Sequence, residues 1–211
     1  MTAESGIPVD DITAVILAGG KARRMGGEDK GLIQLHGRAL LDYIITGVRP
    51  QVGHVLINAN RNLNRYGAFG YPVVADITGD YFGPLAGMAS GMQASGTRYI
   101  VVLPCDSPYV PAGLAERLYQ AMAAADAEIS VAHDGVRLQP VFALLSCELL
   151  PGLLQYLEGG GRKIDTWYAR QRLAYADFSD LPDTFLNLNS PADLPVIERL
   201  IAQYQGTCPD Q

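Results

Sequence analysis

Apolar residues along this chain fall into two kinds of run. Residues 13–17, 54–57, 72–75 and 99–103 are short, β-branched or apolar, and bounded by turn residues, which predicts strands. Between them the spacing becomes helical. Residues 39–48 carry Leu40, Leu41, Ile44, Ile45 and Val48 on one face, and residues 114–125 repeat the pattern after Pro111. This alternation predicts a three-layer α/β fold, its sheet mostly parallel and covered on both faces, with ligands at the carboxyl ends of the strands. Further on, residues 129–133 and 140–144 flank Asp134-Gly135, which predicts a hairpin and so a mixed sheet. A last helix is expected where Ser190 offers an N-cap, Pro191 suits the first position and Asp193 can reach back, with Leu194, Ile197, Leu200 and Ile201 as its apolar face.

The 211 residues are 48% hydrophobic, enough for one sizeable core, and no repeat or linker divides them, so a single domain over 1–211 is expected. Residues 1–11 are polar and acidic, unlike a secretory or transit segment, and are expected to be a disordered extension, as is the tail 205–211. The net charge of −6 gives no overall field for nucleic acid or an anionic membrane, and no apolar run approaches the ~20 residues that cross a bilayer. An anionic substrate must therefore be held by local cations. Cys105, Cys147 and Cys208 form no CxxC pair, which argues against disulfides or zinc and suits a reducing cytoplasm. His36, His54 and His133 lack ligand spacing.

The strongest chemical signal follows the first strand. Ala18 to Lys30 is a thirteen-residue loop with four glycines and four cations. Glycines let backbone N–H groups approach an anion closely, and Lys21, Arg24 and Lys30 can neutralise a triphosphate. Neither GxGxxG nor GxxxxGK[ST] is spelled, so the loop is neither a dinucleotide fingerprint nor a Walker A loop.

Leu17-Ala-Gly-Gly20, Arg24-Met-Gly26 and Asp29-Lys30 resemble the signature of the molybdenum cofactor guanylyltransferases, within the superfamily of nucleotide-diphosphosugar-type transferases. The resemblance continues through Gly83-Pro-Leu-Ala-Gly87, Pro104-Cys-Asp106 followed by Pro108, Arg162-Lys-Ile-Asp165 with Trp167-Tyr168, and Asn187-Leu-Asn189-Ser-Pro191, covering nearly the whole chain. It implies a Rossmann-like, nucleotide-diphosphosugar transferase-like fold. The implied activity is Mg²⁺-dependent transfer of GMP from GTP to the phosphate of molybdenum-molybdopterin. By position, the resemblance implies that Leu17, Ala18 and Gly19 line GTP through the backbone, that Lys30, Asn58 and Asp76 contact it, and that Asp106 is the magnesium ligand. It makes Lys30, Asp106 and Arg24 the catalytic set and puts Arg24, Gly27, Arg162, Asn187 and Asn189 at the pterin.

Each position also has a plain structural reading. Asn58 could cap the turn at Asn58-Ala-Asn60, Asp76 could form an Asx-turn, and Asp106 could shape a turn between Pro104 and Pro108. Asn189 could prepare the Ser190 cap, Arg162 could be a solvated cation at a helix start after three glycines, and Cys105 could be a small buried hydrophobe. The functional alternatives are CTP in place of GTP, a sugar phosphate in place of the pterin, or a nucleotide-sensing or chaperone-like protein that carries bis-pterin cofactor to a target enzyme without turnover. For the transferase itself, transient contacts with cofactor-inserting or acceptor proteins are expected.

Overall fold

The computed structural model describes residues 7–18, 29–77 and 83–205. In chain order its strands are β1 (Ile12–Leu17), β2 (Gln34–Leu35), β3 (Arg38–Ala39), β4 (His54–Asn58), β5 (Val73–Val74), β6 (Tyr99–Pro104), β7 (Ile129–His133), β8 (Leu138–Ser146) and β9 (Leu173–Asp177). Its α-helices are α1 (Leu40–Val48), α2 (Leu63–Gly67), α3 (Pro84–Ser95), α4 (Leu114–Ala124), α5 (Leu150–Glu158), α6 (Ile164–Tyr168) and α7 (Leu194–Gln205). Seven strands form one sheet in the order β5-β4-β1-β6-β8-β7-β9. Only β8 runs against its neighbours, pairing antiparallel with β6 and β7, so the expected mixed, mostly parallel sheet is present. β2 and β3 form a separate small hairpin.

Strand side chains alternate between two covered faces, as the period of two requires. Ile12, Ala14, Ile16, Val101 and Leu103 pack with α1 and α4, while Val15, Ile100 and Val102 pack with α3, α5 and α6. A smaller third cluster holds Leu35, Leu40 and Leu188 against Ile197 and Ile201 of α7. Helix α3 approaches the sheet through its glycines. A methyl at Gly91 would stand 2.6 Å from Val15, and one at Gly87 would overlap Asn58 Oδ1 and lie 2.7 Å from Leu17 Cδ2.

The observed β7 and β8 meet through Asp134, whose carboxylate accepts from the backbone N–H groups of Val136 and Arg137 at 2.8 and 2.7 Å. α7 begins as a 3₁₀ turn over Pro191–Asp193, with Asp193 Oδ2 accepting from Ser190 N at 2.7 Å and Asn189 N at 2.9 Å. The reach-back expected of Asp193 is therefore present, and those N–H groups hold its carboxyl below the usual range.

The N-terminal extension, expected to be disordered over residues 1–11, is ordered in its last residues. Val9–Asp11 form a 3₁₀ turn, and Val9 O accepts from Gly53 N at 2.7 Å just before β4. From residue 7 the extension is thus part of the fold, because Gly53 carries no side chain where the Asp10 backbone crosses it. The tail beyond Gln205 lies outside the described residues.

Candidate active site

The parallel strands β1, β4, β5 and β6 end on the same side of the sheet, and the polar residues singled out by the sequence collect there. β1 and β6 run in register to Leu17 and Pro104, and pairing continues through Cys105 N to Leu17 O at 3.1 Å. On the other side Ala18 N donates to Asn58 O at 2.8 Å. Leu17 O and Ala18 N are thus committed within the sheet.

Asp106 follows directly. Its Oδ2 accepts from Lys30 Nζ at 2.9 Å, and the same ammonium donates to Asn189 Oδ1 at 3.0 Å. The backbone joins the group too, since Leu188 N donates to Asp106 O at 2.8 Å. Buried Ser107 bonds Asn187 through Oγ and Oδ1. Three distant segments therefore converge: the exit of the glycine loop, the turn after β6, and residues 187–189. Lys30 and Asp106 side chains are 23% and 20% exposed, open enough for a ligand to reach both.

Asp29 explains how Lys30 is held. Its carboxylate is buried, and a buried charge requires partners. Arg61 forms an ion pair with Asp29 Oδ1, and Asn62 Nδ2 donates to Oδ2 at 2.9 Å. Asn62 sits in the left-handed region at φ 53°, a conformation asparagine tolerates, which aims its amide back at the loop. Asp29 O then accepts from Leu32 N, starting the 3₁₀ turn Lys30–Leu32.

A second polar group lies two strands away, at the ends of β4 and β5. Asn58 Nδ2 donates to Asp76 Oδ1 at 2.9 Å and to Val74 O at 3.3 Å. Asn60 Nδ2 donates to Asp76 Oδ2 at 2.7 Å, and Asp76 N returns a bond to Asn60 Oδ1 at 2.8 Å. Asn58 is only 3% exposed, so its amide serves the carboxylate rather than solvent.

Arg162 follows α5, and its guanidinium donates to the carbonyls of Leu157, in the last turn of that helix, and Gly161. Trp167 and Tyr168 of the same segment are core residues, with Tyr168 Oη donating to Pro140 O at 2.9 Å. Gly19, Arg24 and Gly27 lie outside the described residues. Cys105 is a buried thiol, pushed up to about 12 by desolvation and then by the charge of Asp106. Arg61, Asn62, Asn60 and Ser107 were missed by sequence reasoning. The only available signal was polarity in a turn after a strand, which does not say what the side chains meet.

This geometry, a cation and a carboxylate at the carboxyl ends of β1 and β6, suits handling of an anionic nucleotide. Residues 14–173 match the model of the MobA-like NTP transferase domain, which places the chain among the nucleotidyltransferases. More narrowly, it belongs to the molybdenum cofactor guanylyltransferase family. It is 47% identical over 192 residues to the molybdenum cofactor guanylyltransferase of Shewanella sediminis, covering 91% of this chain and 98% of that one. It is 48% identical to the Shewanella loihica enzyme of the same name, covering 90% and 97%. In fold it resembles the crystal structure of molybdopterin-guanine dinucleotide biosynthesis protein A from Archaeoglobus fulgidus, with a TM-score of 0.75 at 21% identity over 90% of this chain and 99% of that one. Among the described residues, no helix is long and apolar enough to cross a membrane.

Proposed function

We propose that this chain transfers GMP from GTP to the terminal phosphate of molybdenum-molybdopterin, forming molybdopterin guanine dinucleotide and pyrophosphate in molybdenum cofactor biosynthesis. The observation that carries the reading is Lys30 Nζ bridging Asp106 and Asn189 at the ends of β1 and β6, in a chain of the guanylyltransferase family. Leu17, Ala18 and Gly19 line the nucleotide, Asn58 and Asp76 serve its base, and Lys30 and Arg24 neutralise phosphates. Arg24, Gly27, Arg162, Asn187 and Asn189 serve the pterin.

The sheet supports this layout. Adjacent strands are about 4.8 Å apart, so β5 and β6, three steps apart, are separated by about 14 Å. That span suits a nucleotide lying across the strand ends, base at Asp76 and phosphates at Lys30. The donor set fits a hard divalent cation, Mg²⁺, at Asp106. The described residues hold no group of three or more His, Cys, Asp or Glu around a metal position, and Mg²⁺ is commonly held by one or two carboxylates with substrate phosphates and water. When bound, such an ion offsets charge on the phosphates.

No protein base is needed, because a phosphate monoester has its second pKa near ~6 and is largely ionised at neutral pH. Its oxygen forms a bond to the α-phosphorus of GTP while the bond to the bridging oxygen breaks and pyrophosphate leaves with the electron pair. The chain's work is to bring two anions into line and to neutralise the charge that builds on the leaving group, the role given to Lys30 and Arg24. A cytoplasmic setting agrees with the free thiols of Cys105 and Cys147. Transient contacts with acceptor or cofactor-inserting proteins belong to the same reading.

Incubating the purified protein with molybdopterin, Mg²⁺ and GTP, CTP or ATP tests it, with pyrophosphate measured and the product separated by chromatography. The guanine dinucleotide should form with GTP and not with the others. Preference for CTP would change the base, and GTP binding with no pyrophosphate from any acceptor would make the protein a carrier.

A further inference from the structure

Asp76 closes β5, and its carboxylate is gripped at both oxygens. Asn58 holds Oδ1 from below, at 2.9 Å, fixed by strand register because Asn58 pairs with Val74. Asn60 holds Oδ2 at 2.7 Å and also accepts from the backbone N–H of Asp76 at 2.8 Å, closing a two-bond ring between one amide and one aspartate. The two grips differ in origin. Asn58 is wedged between β5 and α3, where Gly87 leaves room for its amide. Asn60 lies on the turn beyond the strand and is partly exposed.

A carboxylate offers about four lone-pair directions, and two are taken by the amides. Each oxygen keeps further acceptor capacity, and the group cannot turn freely, since rotation would break a bond at either oxygen. Paired acceptors recognise paired donors. The Watson–Crick edge of guanine presents N1–H and the 2-amino group side by side, whereas adenine presents an acceptor next to a donor, and hypoxanthine keeps N1–H but lacks the amino group.

We propose that Asn60 is a specificity-determining positioning residue, which selects guanine by holding the Asp76 carboxylate in the orientation that accepts both donors. The inference rests on the reading above that Asp76 meets the base. An untethered Asp76 could still make one bond to N1–H by turning, but would have to be ordered at each binding event before it made the second. The effect of Asn60 should therefore appear in the 2-amino contact, separately from general nucleotide affinity.

The test is direct binding of GTP, ITP and ATP, each with Mg²⁺, by isothermal titration to the full chain and to the Asn60→Ala and Asp76→Asn variants, with folding checked by circular dichroism. Binding needs no pterin, so it stands apart from the transfer reaction. Asn60→Ala should weaken GTP about tenfold, the worth of one well-made hydrogen bond, while ITP changes less and ATP stays where it was. Asp76→Asn should erase most of the preference for GTP over ITP. If Asp76→Asn alters the preference and Asn60→Ala leaves it at the wild-type ratio, the positioning role is wrong while the base reading stands. If Asp76→Asn leaves the preference intact, the base lies elsewhere and both fall. Equal losses for all three nucleotides in Asn60→Ala would show a merely structural turn residue. Should Asn60→Ala fold poorly, Asn60→Ser, which keeps a short polar group but cannot span both partners, must show the same selective loss.

Discussion

Lys30 and Asp106 are separated by 76 residues in the chain and by 2.9 Å in space. Each neutralises the other, and in the proposed reaction each would exchange that contact for another: phosphate oxygens for the ammonium, a divalent cation for the carboxylate. On that reading the ion pair joins two groups that the reaction would draw in different directions. As a partly exposed ion pair it adds only about 0–1 kcal/mol to stability.

That small contribution separates the fold from the chemistry. Asp106→Asn should keep its thermal midpoint close to that of the parent while guanylyl transfer falls by about two to three orders of magnitude, the usual cost of removing one charge-stabilising group from an enclosed site. Excess Mg²⁺ or Mn²⁺ should restore little. A folded Asp106→Asn protein with near-normal pyrophosphate release would remove Asp106 from the metal site.

Arg61 should behave in the opposite way. Its partner Asp29 is 1% exposed, so Arg61→Ala strands a buried carboxylate. Breaking a fully buried pair costs about 3–5 kcal/mol, and Arg61 itself is 37% exposed, so a loss of roughly 2–3 kcal/mol is expected in urea denaturation. Arg61→Ala with unchanged stability would mean that Asn62 alone satisfies Asp29.

Gly87 and Gly91 offer a matched pair of probes on α3. An added methyl would press Asn58 and Leu17 at the first and Val15 at the second. Overpacking of this kind commonly costs about 1–3 kcal/mol, so both Gly87→Ala and Gly91→Ala should lower the denaturation midpoint. Only Gly87→Ala should also weaken GTP binding, because it moves the amide that grips Asp76. Equal GTP affinity in the two variants would detach Asn58 from the base.

Cys105 sits beside Asp106, yet burial keeps its thiol protonated, with a pKa of about 12. The reactive form is the thiolate. Native protein treated with iodoacetamide at pH 8 should leave Cys105 unmodified by peptide mass spectrometry, and it should label only after unfolding. Prompt labelling of native Cys105 would show that the turn after β6 opens readily.

The sequence was most readable where one physical cause dominated. β1 and β6 are buried on both faces, so residues 13–17 and 99–103 stand out as short β-branched or apolar runs. Lys30, Asp106, Asn187 and Asn189 were named from motifs and do converge in space. Helix α3 escaped notice because its small residues Ala86, Gly87, Ala89, Ser90 and Gly91 are buried in succession, which leaves no polar stripe to reveal the helical period. β2 and β3 are two residues each, too short for any alternation. The clamps on Asp29 and Asp76 were illegible for a different reason, since a polar turn residue reads the same whether it faces water or a carboxylate from another segment. Arg162 donates to the carbonyls of Leu157 and Gly161, a contact that spacing after three glycines could not disclose.

Asn60, Arg61 and Asn62 are consecutive, and they grip two different carboxylates: Asp76, proposed to meet the base, and Asp29 next to Lys30. On the proposed reading one short stretch of backbone acts as a ruler whose two marks are the base and the phosphates. An insertion of even one residue here would move both marks at once and misalign the α-phosphorus along with the guanine edge. Descent with a new base preference is then expected to preserve the length of this turn and to proceed by exchanging side chains at its first position, and libraries built to retarget the nucleotide would do best to hold its length constant.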